Sequence, residues 1–446
     1  METNLEKIKD LLTNKKYNEL KKILNELNSA DIPGILEEFD KEDVIRIFRL
    51  LSKEQAGEAF SYMESDMREK LLEDLTDREL KSVIDELFMD DTVDLIEEMP
   101  SNVVKRILKL VNKEDRNTIN ELLKYPEDSA GSIMTTEFID LKENMIAEQA
   151  LKRIRKIGTD SETIYTCYVL TEKRILKGII NIKDILIAPK EKLIKELMET
   201  NIISANTLED QEEVAKKFDK YDFYALPVVD NESRLVGIIT VDDAINVLQD
   251  EAQEDFEKMA AITPTEEGYF ETSVWKHAKN RIVWLLILML SAAITGNILA
   301  QYEAAFAVAP LLVAFIPMIM GTGGNCGSQS STLIIRGLAT DEIKLKDIFR
   351  VIWKEIRVAF IVGVALAIVN AIRVIIQYRD IQLAVVLGIT LIVTTIISKV
   401  LGCVLPMLAK RLKLDPAIMA APLITTLVDV CSILVYFQVA TSIMGL

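Results

Sequence analysis

The sequence predicts a multidomain protein: an α-helical superhelical N-terminal domain, an α/β tandem repeat, and an α-helical polytopic membrane domain with five transmembrane helices. Three observations predict it. Of 52 Lys+Arg and 69 Asp+Glu in 446 residues, 15 and 8 fall from Lys276 onward, so a net of -24 precedes a net of +7. Hydrophobic periodicity changes from helical to alternating near residue 129. The last 166 residues hold five apolar runs, each long enough for the ~20 helical residues that a ~30 Å hydrocarbon core requires.

Residues 1–128 read as helices. "DIPGILEEFDKEDVIRIFRLLSKEQ" spaces apolar residues helically, with Pro33 suited to a first turn. "ELKSVIDELFMDDTVDLIEEMPSNVVKRILKLV" repeats the design, which predicts a small superhelical stack of short helix pairs. The opening "METNLEKIKDLLTNKKY" is charged and has no apolar core, so it does not read as a signal peptide.

Residues 129–255 carry a tandem repeat. "YVLTEKRILKGIINIKDIL" and "PVVDNESRLVGIITVDDAI" each read strand, turn, strand, helix, with Gly178 and Gly237, and Asp184 and Asp243, both 59 apart. This repeat resembles a pair of CBS domains. Residues 256–280 read as a connecting, plug-type helix broken by Thr263-Pro264, with Trp275 and Trp284 as interfacial anchors.

Residues 281–446 read as a transmembrane domain, with spans near 281–300, 306–338, 356–378, 383–409 and 416–444. Lys and Arg concentrate before the first span, in the second loop (Arg336 to Arg357) and in the fourth (Lys410, Arg411, Lys413). The N-terminus is therefore expected in the cytoplasm and the C-terminus outside a cell inner (plasma) membrane. Four scattered cysteines show neither disulfide nor zinc spacing, and His277 is the single histidine. Chemistry needing a His base or several His ligands is thereby excluded, and no enzyme is expected. The acidic N-terminal part argues against nucleic acid and for cations.

Polar residues inside the spans point to the site. "GTGGNCGSQSS" interrupts the second span, and Asp429 in "AAPLITTLVDVCSILVYF" is the single carboxylate read as far from both span ends. Both lie near mid-depth. Such a carboxylate costs at least ~2.5 kcal/mol there and is a functional candidate by default. Glycines would let the helix open and expose carbonyls to an ion. With Asn325, Thr425, Thr426 and Asp429 these form an all-oxygen set, the ligand chemistry of a hard cation such as Mg2+ or Ca2+. One carboxylate does not balance a divalent ion, so a homodimer with the pore on its two-fold axis is expected. Lys399, the other intramembrane charge, is expected to snorkel or to make a helix–helix contact. Cys326 and Cys431 are expected as small packing residues.

"FIPMIMGTGGNCGSQSSTLIIRGLAT" and "DPAIMAAPLITTLVDVCSIL", following the helical domain and a CBS pair ending "VDDAINVLQDEAQEDF", resemble the bacterial MgtE family of Mg2+ channels or transporters. The resemblance spans the chain in order. It implies a homodimer, Mg2+ as both cargo and regulatory ligand, and cytosolic domains that close the pore when Mg2+ is plentiful. It places the ion path at Asp429, Gly321, Gly324, Asn325 and Thr425. It places regulatory acids at Asp210, Glu212, Asp222, Asp243, Glu251, Glu254 and Asp255, with Asp91 and Asp94 in the helical domain. Asn246 stands where the family pattern has an acid. The family's CBS pair can also bind ATP.

A physical reading agrees. One ion at its Kd contributes only ~0.4 kcal/mol, whereas swinging a two-state gate from 1:99 to 99:1 needs ~5.5 kcal/mol. About six sites at three times their Kd supply roughly that. Two rivals remain in view: an ion-coupled secondary transporter of divalent cations (Mg2+ or Co2+), and an intramembrane aspartyl protease, which needs two facing carboxylates where one chain offers Asp429.

Overall fold

A computed structural model describes residues 2–265, 268–270, 272–302, 309–419 and 421–445. The chain divides into two compact units, Met1–Gln249 and Asp250–Leu446.

The first unit begins with short helices: α1 (Glu2–Thr13), α2 (Tyr17–Glu26), α3 (Ile32–Leu36), α4 (Lys41–Phe48) and α5 (Lys53–Ser61). They continue as α6 (Ser65–Asp74), α7 (Asp77–Ile84), α8 (Met89–Glu98), α9 (Ser101–Leu110) and α10 (Lys113–Leu122). Side-chain caps start several of them: Asp40 for α4, Ser52 for α5, Thr76 with Glu79 as a capping box for α7, and Asn112 for α10. Alternate helices pack, α4 on α6, α5 on α7, α7 on α9 and α8 on α10. This is the predicted superhelical stack. Arginines tie successive layers: Arg49 Nε meets Glu79 at 2.8 Å, and Arg106 reaches both Asp77 (2.7 Å) and the carbonyl of Leu72 (2.6 Å).

Two small sheets follow. The first orders β1 (Ile139–Lys142), β2 (Thr166–Leu170) and β3 (Leu176–Asn181); the second orders β4 (Ala205–Asn206), β5 (Ala225–Val229) and β6 (Leu235–Thr240). In each, a parallel pair adjoins an antiparallel hairpin, and the hairpin register shifts at Val169/Leu170 and at Val228/Val229, 59 residues apart. The repeat also binds to itself: Leu176 N–H donates to Ser233 O (3.1 Å) and Leu235 N–H to Arg174 O (3.0 Å). The helices are α11 (Ala147–Ile157), α12 (Ile182–Ile187), α13 (Gln211–Tyr221) and α14 (Val241–Met259). The last runs four residues beyond the expected end of the repeat at 255.

The second unit holds five helices long and apolar enough to cross a membrane among the described residues. They are α15 (Val274–Ala300), α16 (Ile316–Ala339), α17 (Ile348–Tyr378), α18 (Ile381–Arg411) and α19 (Ala421–Met444). Short 3-10 turns, Pro310–Phe315 and Pro416–Met419, precede α16 and α19. Residue 306, the expected start of the second span, lies outside the described residues. Helix α17 starts eight residues before the expected third span, and that earlier start places Glu355 inside it.

Helix α16 corrects one expectation. It does not open at "GTGGN"; it is α-helical from Ile316 to Ala339. The glycines serve close approach instead. A Cβ at Gly323 would lie 2.8 Å from both Val428 Cγ1 and Ser432 Oγ, one at Gly324 would overlap Thr425 Cγ2, and one at Gly327 would lie 2.7 Å from Ile424 Cγ2. Gly402 of α18 meets the carbonyl of Gly327 in the same way. Removing Cβ lets backbones approach where lipid offers no hydrophobic drive, so van der Waals packing holds the helices together.

Gly402→Leu should wedge α18 from α16 at a cost of about 1–3 kcal/mol. Thermal unfolding of the purified protein in detergent should show a midpoint lowered by several degrees, whereas the open neighbour position Gly296→Leu should leave it unchanged.

Candidate ion path and acidic cluster

The glycine run seats α16 against α19, and that contact arranges the predicted membrane site. Thr425 packs on Gly324, and Asp429 lies one turn further along the same face of α19. Asp429 and Thr425 are half-buried. On α16, Gly321 and Asn325 are also one turn apart, and both are exposed. The residues that pack and the residues left open are thus distinct: Gly323, Gly324 and Gly327 face protein, and Gly321 and Asn325 do not. Thr426 spends its hydroxyl on the carbonyl of Pro422 at 3.0 Å, the usual i−4 back-bond. Cys326 is buried and Cys431 half-buried, as packing residues would be.

Ser330 and Ser331, at the end of the polar run, are tie points. Ser331 Oγ donates to Met419 O at 3.0 Å, just before α19. Ser330 Oγ donates to Glu355 Oε2 of α17 at 2.6 Å and accepts from Lys399 Nζ of α18 at 3.1 Å. Lys399 therefore makes a helix–helix contact and does not snorkel; it is 4 % exposed. Glu355 was missed because it sits at the edge of a basic loop, where a carboxylate reads as solvated.

In the first unit, Asp91, Asp94 and Asp243 lie within electrostatic range of one another, and Asp90, Glu162 and Asp242, which the sequence did not single out, lie within range of Asp91 or Asp243. The Asp90-Asp91 and Asp242-Asp243 doublets were a visible signal; Glu162, in a polar loop, offered none. Asp243 accepts from Thr240 N (3.3 Å) and Oγ1 (2.5 Å), which fixes it at the start of α14. Burial and then Asp243 push Asp91 up to about 6. Burial pushes Asp243 itself to about 6, against the pull of the Thr240 hydrogen bonds. Glu162 rises to about 8 through burial and the Asp243, Asp242 and Asp91 charges. Asp90 is raised well above the usual carboxylate range for the same reasons. Asp94 stands at the rim, open to solvent, yet the protein around it and Asp91, Glu98 and Glu97 push it to about 7. Like charges crowded under partial burial hold protons unless a cation replaces them. Glu162 Oε2 is buried and has no hydrogen-bond partner, which fits a cation-binding lining. Among the described residues, no three such groups already converge on one metal-sized point.

The remaining predicted acids are elsewhere. Asp210 caps α13, accepting from Glu212 N (3.0 Å) and Glu213 N (3.4 Å), and Asp222 ends the same helix in the left-handed region at φ 54. Glu212 pairs with Lys216 at 2.9 Å. These three serve one helix and do not join the cluster of Asp91 and Asp243. In the second unit, Glu254 contacts Lys258 (2.6 Å), which also reaches Asp415 (2.7 Å) before α19. Met259 packs on Ile335 and Ala417 beside it. Glu251 and Asp255, on the same stretch of α14, are likewise engaged.

Among the described residues, five helices long and apolar enough to cross a membrane, preceded in the chain by a helical stack and a twofold α/β repeat, define a multidomain, multi-pass membrane protein. Family models agree in order: "MgtE intracellular N domain" over residues 27–128, "CBS domain" over 130–191 and 194–250, and "Divalent cation transporter" over 316–439. The chain belongs to the MgtE family. It is 38% identical over 355 residues to the magnesium transporter MgtE of Thermus thermophilus, covering 79% of each chain. To that of Bacillus subtilis it is 36% identical over 353 residues, 79% of this chain and 78% of the other. Among solved structures it resembles the cytosolic domain of the Mg2+ channel MgtE in complex with ATP, at TM-score 0.53 and 33% identity, over 55% of this chain and 99% of that one. A similar likeness, TM-score 0.54 at 30% identity over 56% and 99%, holds for the soluble part of a magnesium transporter.

The raised carboxylates bind protons more tightly in the folded cluster than in an open chain. Their protonated contribution is complete near pH 4 and is lost as pH rises through about 6 to 8. In divalent-free buffer, hydrogen exchange of α8 in the intact protein should accelerate from pH 6 to pH 8. A rate that follows only the intrinsic pH dependence of exchange would show the acids to be uncoupled.

Proposed function

We propose that this protein is a Mg2+ channel of a cell membrane, a homodimer that cytosolic Mg2+ closes by binding its acidic domains. The observation that carries the reading is the half-buried Asp429, one turn beyond the Thr425 that packs on Gly324 of α16, the helix that leaves Asn325 and Gly321 exposed. Oxygen donors of this kind suit a hard cation that keeps most of its waters. Relatives that share most of the chain are named magnesium transporters. Two subunits placing Asp429 across a two-fold axis would supply the second negative charge a divalent ion needs. The mechanism asks no covalent step of the chain: Asp429 attracts the ion, the Asn325 amide orients its water shell, and Gly324 lets Thr425, one turn before Asp429, pack against α16.

The regulatory half rests on the cluster of Asp90, Asp91, Asp94, Glu162, Asp242 and Asp243. A divalent ion there replaces protons and relieves repulsion, drawing α8 and the start of α14 together. Mg2+ affinity should therefore rise with pH, because binding releases protons. The CBS pair is part of the same reading as a site for ATP, supported by the likeness to a relative's ATP-bound cytosolic domain. The positive loops support a topology with the N-terminus in the cytoplasm and the C-terminus outside.

Asp429→Ala should lower Mg2+ flux into proteoliposomes at least tenfold, an order-of-magnitude expectation for losing a pore carboxylate. Protein abundance and elution volume should stay unchanged, and wild-type flux would end the assignment. Gly324→Leu should also block flux, through collision with Thr425. For the gate, neutralising Asp91, Asp94 and Asp243 together should keep flux high at millimolar cytosolic Mg2+, where the wild type closes. Closure at the wild-type Mg2+ concentration would remove the cluster from the sensor.

A further inference from the structure

The pore reading makes no use of the charged pair buried where α16, α17 and α18 meet. Lys399 and Glu355 are 4 % and 9 % exposed, their charged atoms are 3.6 Å apart, and Ser330 bridges them. The hydroxyl donates to the carboxylate and accepts from the ammonium. Three helices, α16, α17 and α18, meet in this one group.

A buried ion pair is weak support for stability, since well-packed apolar residues of similar volume often serve as well. Its distinctive property is direction. Removing one partner strands a charge in an apolar interior, so few alternative packings are tolerated. Ser330 and Ser331 are adjacent and point about 100° apart around α16. One is held by the ion pair and the other by Met419 O. A helix held by two bonds at that angle does not turn without breaking one. Asn325 lies five residues away on the same continuous helix, about 7.5 Å along its axis. Whatever fixes the rotation at Ser330 fixes the direction in which Asn325 and Gly321 face.

We propose that Lys399 and Glu355, acting through Ser330, are positioning residues for the ion path: they set the rotation of α16 that presents Asn325. The proposal rests on the pore reading for its functional meaning, although its structural half does not. Neither side chain touches the ion in this scheme.

The test uses the full-length protein in proteoliposomes, with Lys399→Met, Ser330→Ala and the double neutral variant Lys399→Met with Glu355→Leu. Lys399→Met should lower Mg2+ flux and narrow the preference for Mg2+ over Co2+, each roughly tenfold, the range of coupling changes at a distance. The double variant should recover the thermal midpoint but neither flux nor preference. If it recovers all three, the pair is ordinary packing and the proposal fails. Should Lys399→Met not fold, Ser330→Ala keeps both charges and removes only the link; wild-type flux and preference in that variant would equally overturn it. A second readout is independent of transport. With Cys431→Ala as background, Asn325→Cys should react with a charged methanethiosulfonate reagent at a rate that Lys399→Met changes by about threefold or more. An unchanged rate refutes the rotation. If Asp429→Ala retains full flux while this rate still shifts, the pore reading falls and the positioning role stands.

Discussion

Hydrocarbon offers neither hydrogen-bond partners nor a hydrophobic drive between helices. The membrane unit depends on one consequence of this: the missing Cβ atoms at Gly323, Gly324, Gly327 and Gly402. They let α16 lie against α18 and α19 at backbone distance. Close approach brings Ser330 to the Lys399–Glu355 pair and Ser331 to Met419 O, so polar groups that would be untenable alone satisfy one another. It also decides which atoms stay unsatisfied by protein. Gly321 and Asn325 are left outside the packed seam, and Asp429 stands at its edge.

The cytosolic chemistry follows the opposite logic. Lys399 and Glu355 are matched, one ammonium to one carboxylate, whereas the clustered acids Asp90, Asp91, Glu162 and Asp243 form no salt bridge among the described residues. Asp90, Asp91, Glu162 and Asp243 raise one another's proton affinity because burial and like charge act together. A cluster in that condition responds to any species that neutralises it. A lysine in its midst would have removed the response. Where a lysine is present, at Lys258 between Glu254 and Asp415, the link is already closed without an added ion.

One expectation is corrected in mode. The polar run of the second span was located from its composition alone, yet its glycines pack and do not open the helix. Glycine satisfies either requirement, and only the surface facing it decides which; Thr425, Val428 and Ser432 were not assignable to that surface from sequence. Asp210 and Asp222, expected as sensor acids, stand at the two termini of α13, where Asp210 accepts from backbone N–H groups and Asp222 takes a left-handed conformation. Glu355 went unread because span boundaries follow hydropathy, and a helix continues past the apolar run when a partner such as Lys399 is waiting.

Local chemistry was enough to settle the order of the units, the 59-residue repeat and the five spans, because each is written in period, charge or run length. The family resemblance rested on the same residues. Tertiary structure alone decided which acids share a site, which face of α16 is open, and that Lys399 has a buried counterion. Those properties belong to pairs of residues tens to hundreds of positions apart, such as Asp91 with Asp243 and Ser330 with Lys399. No periodicity in one segment encodes the distance to another; packing sets it.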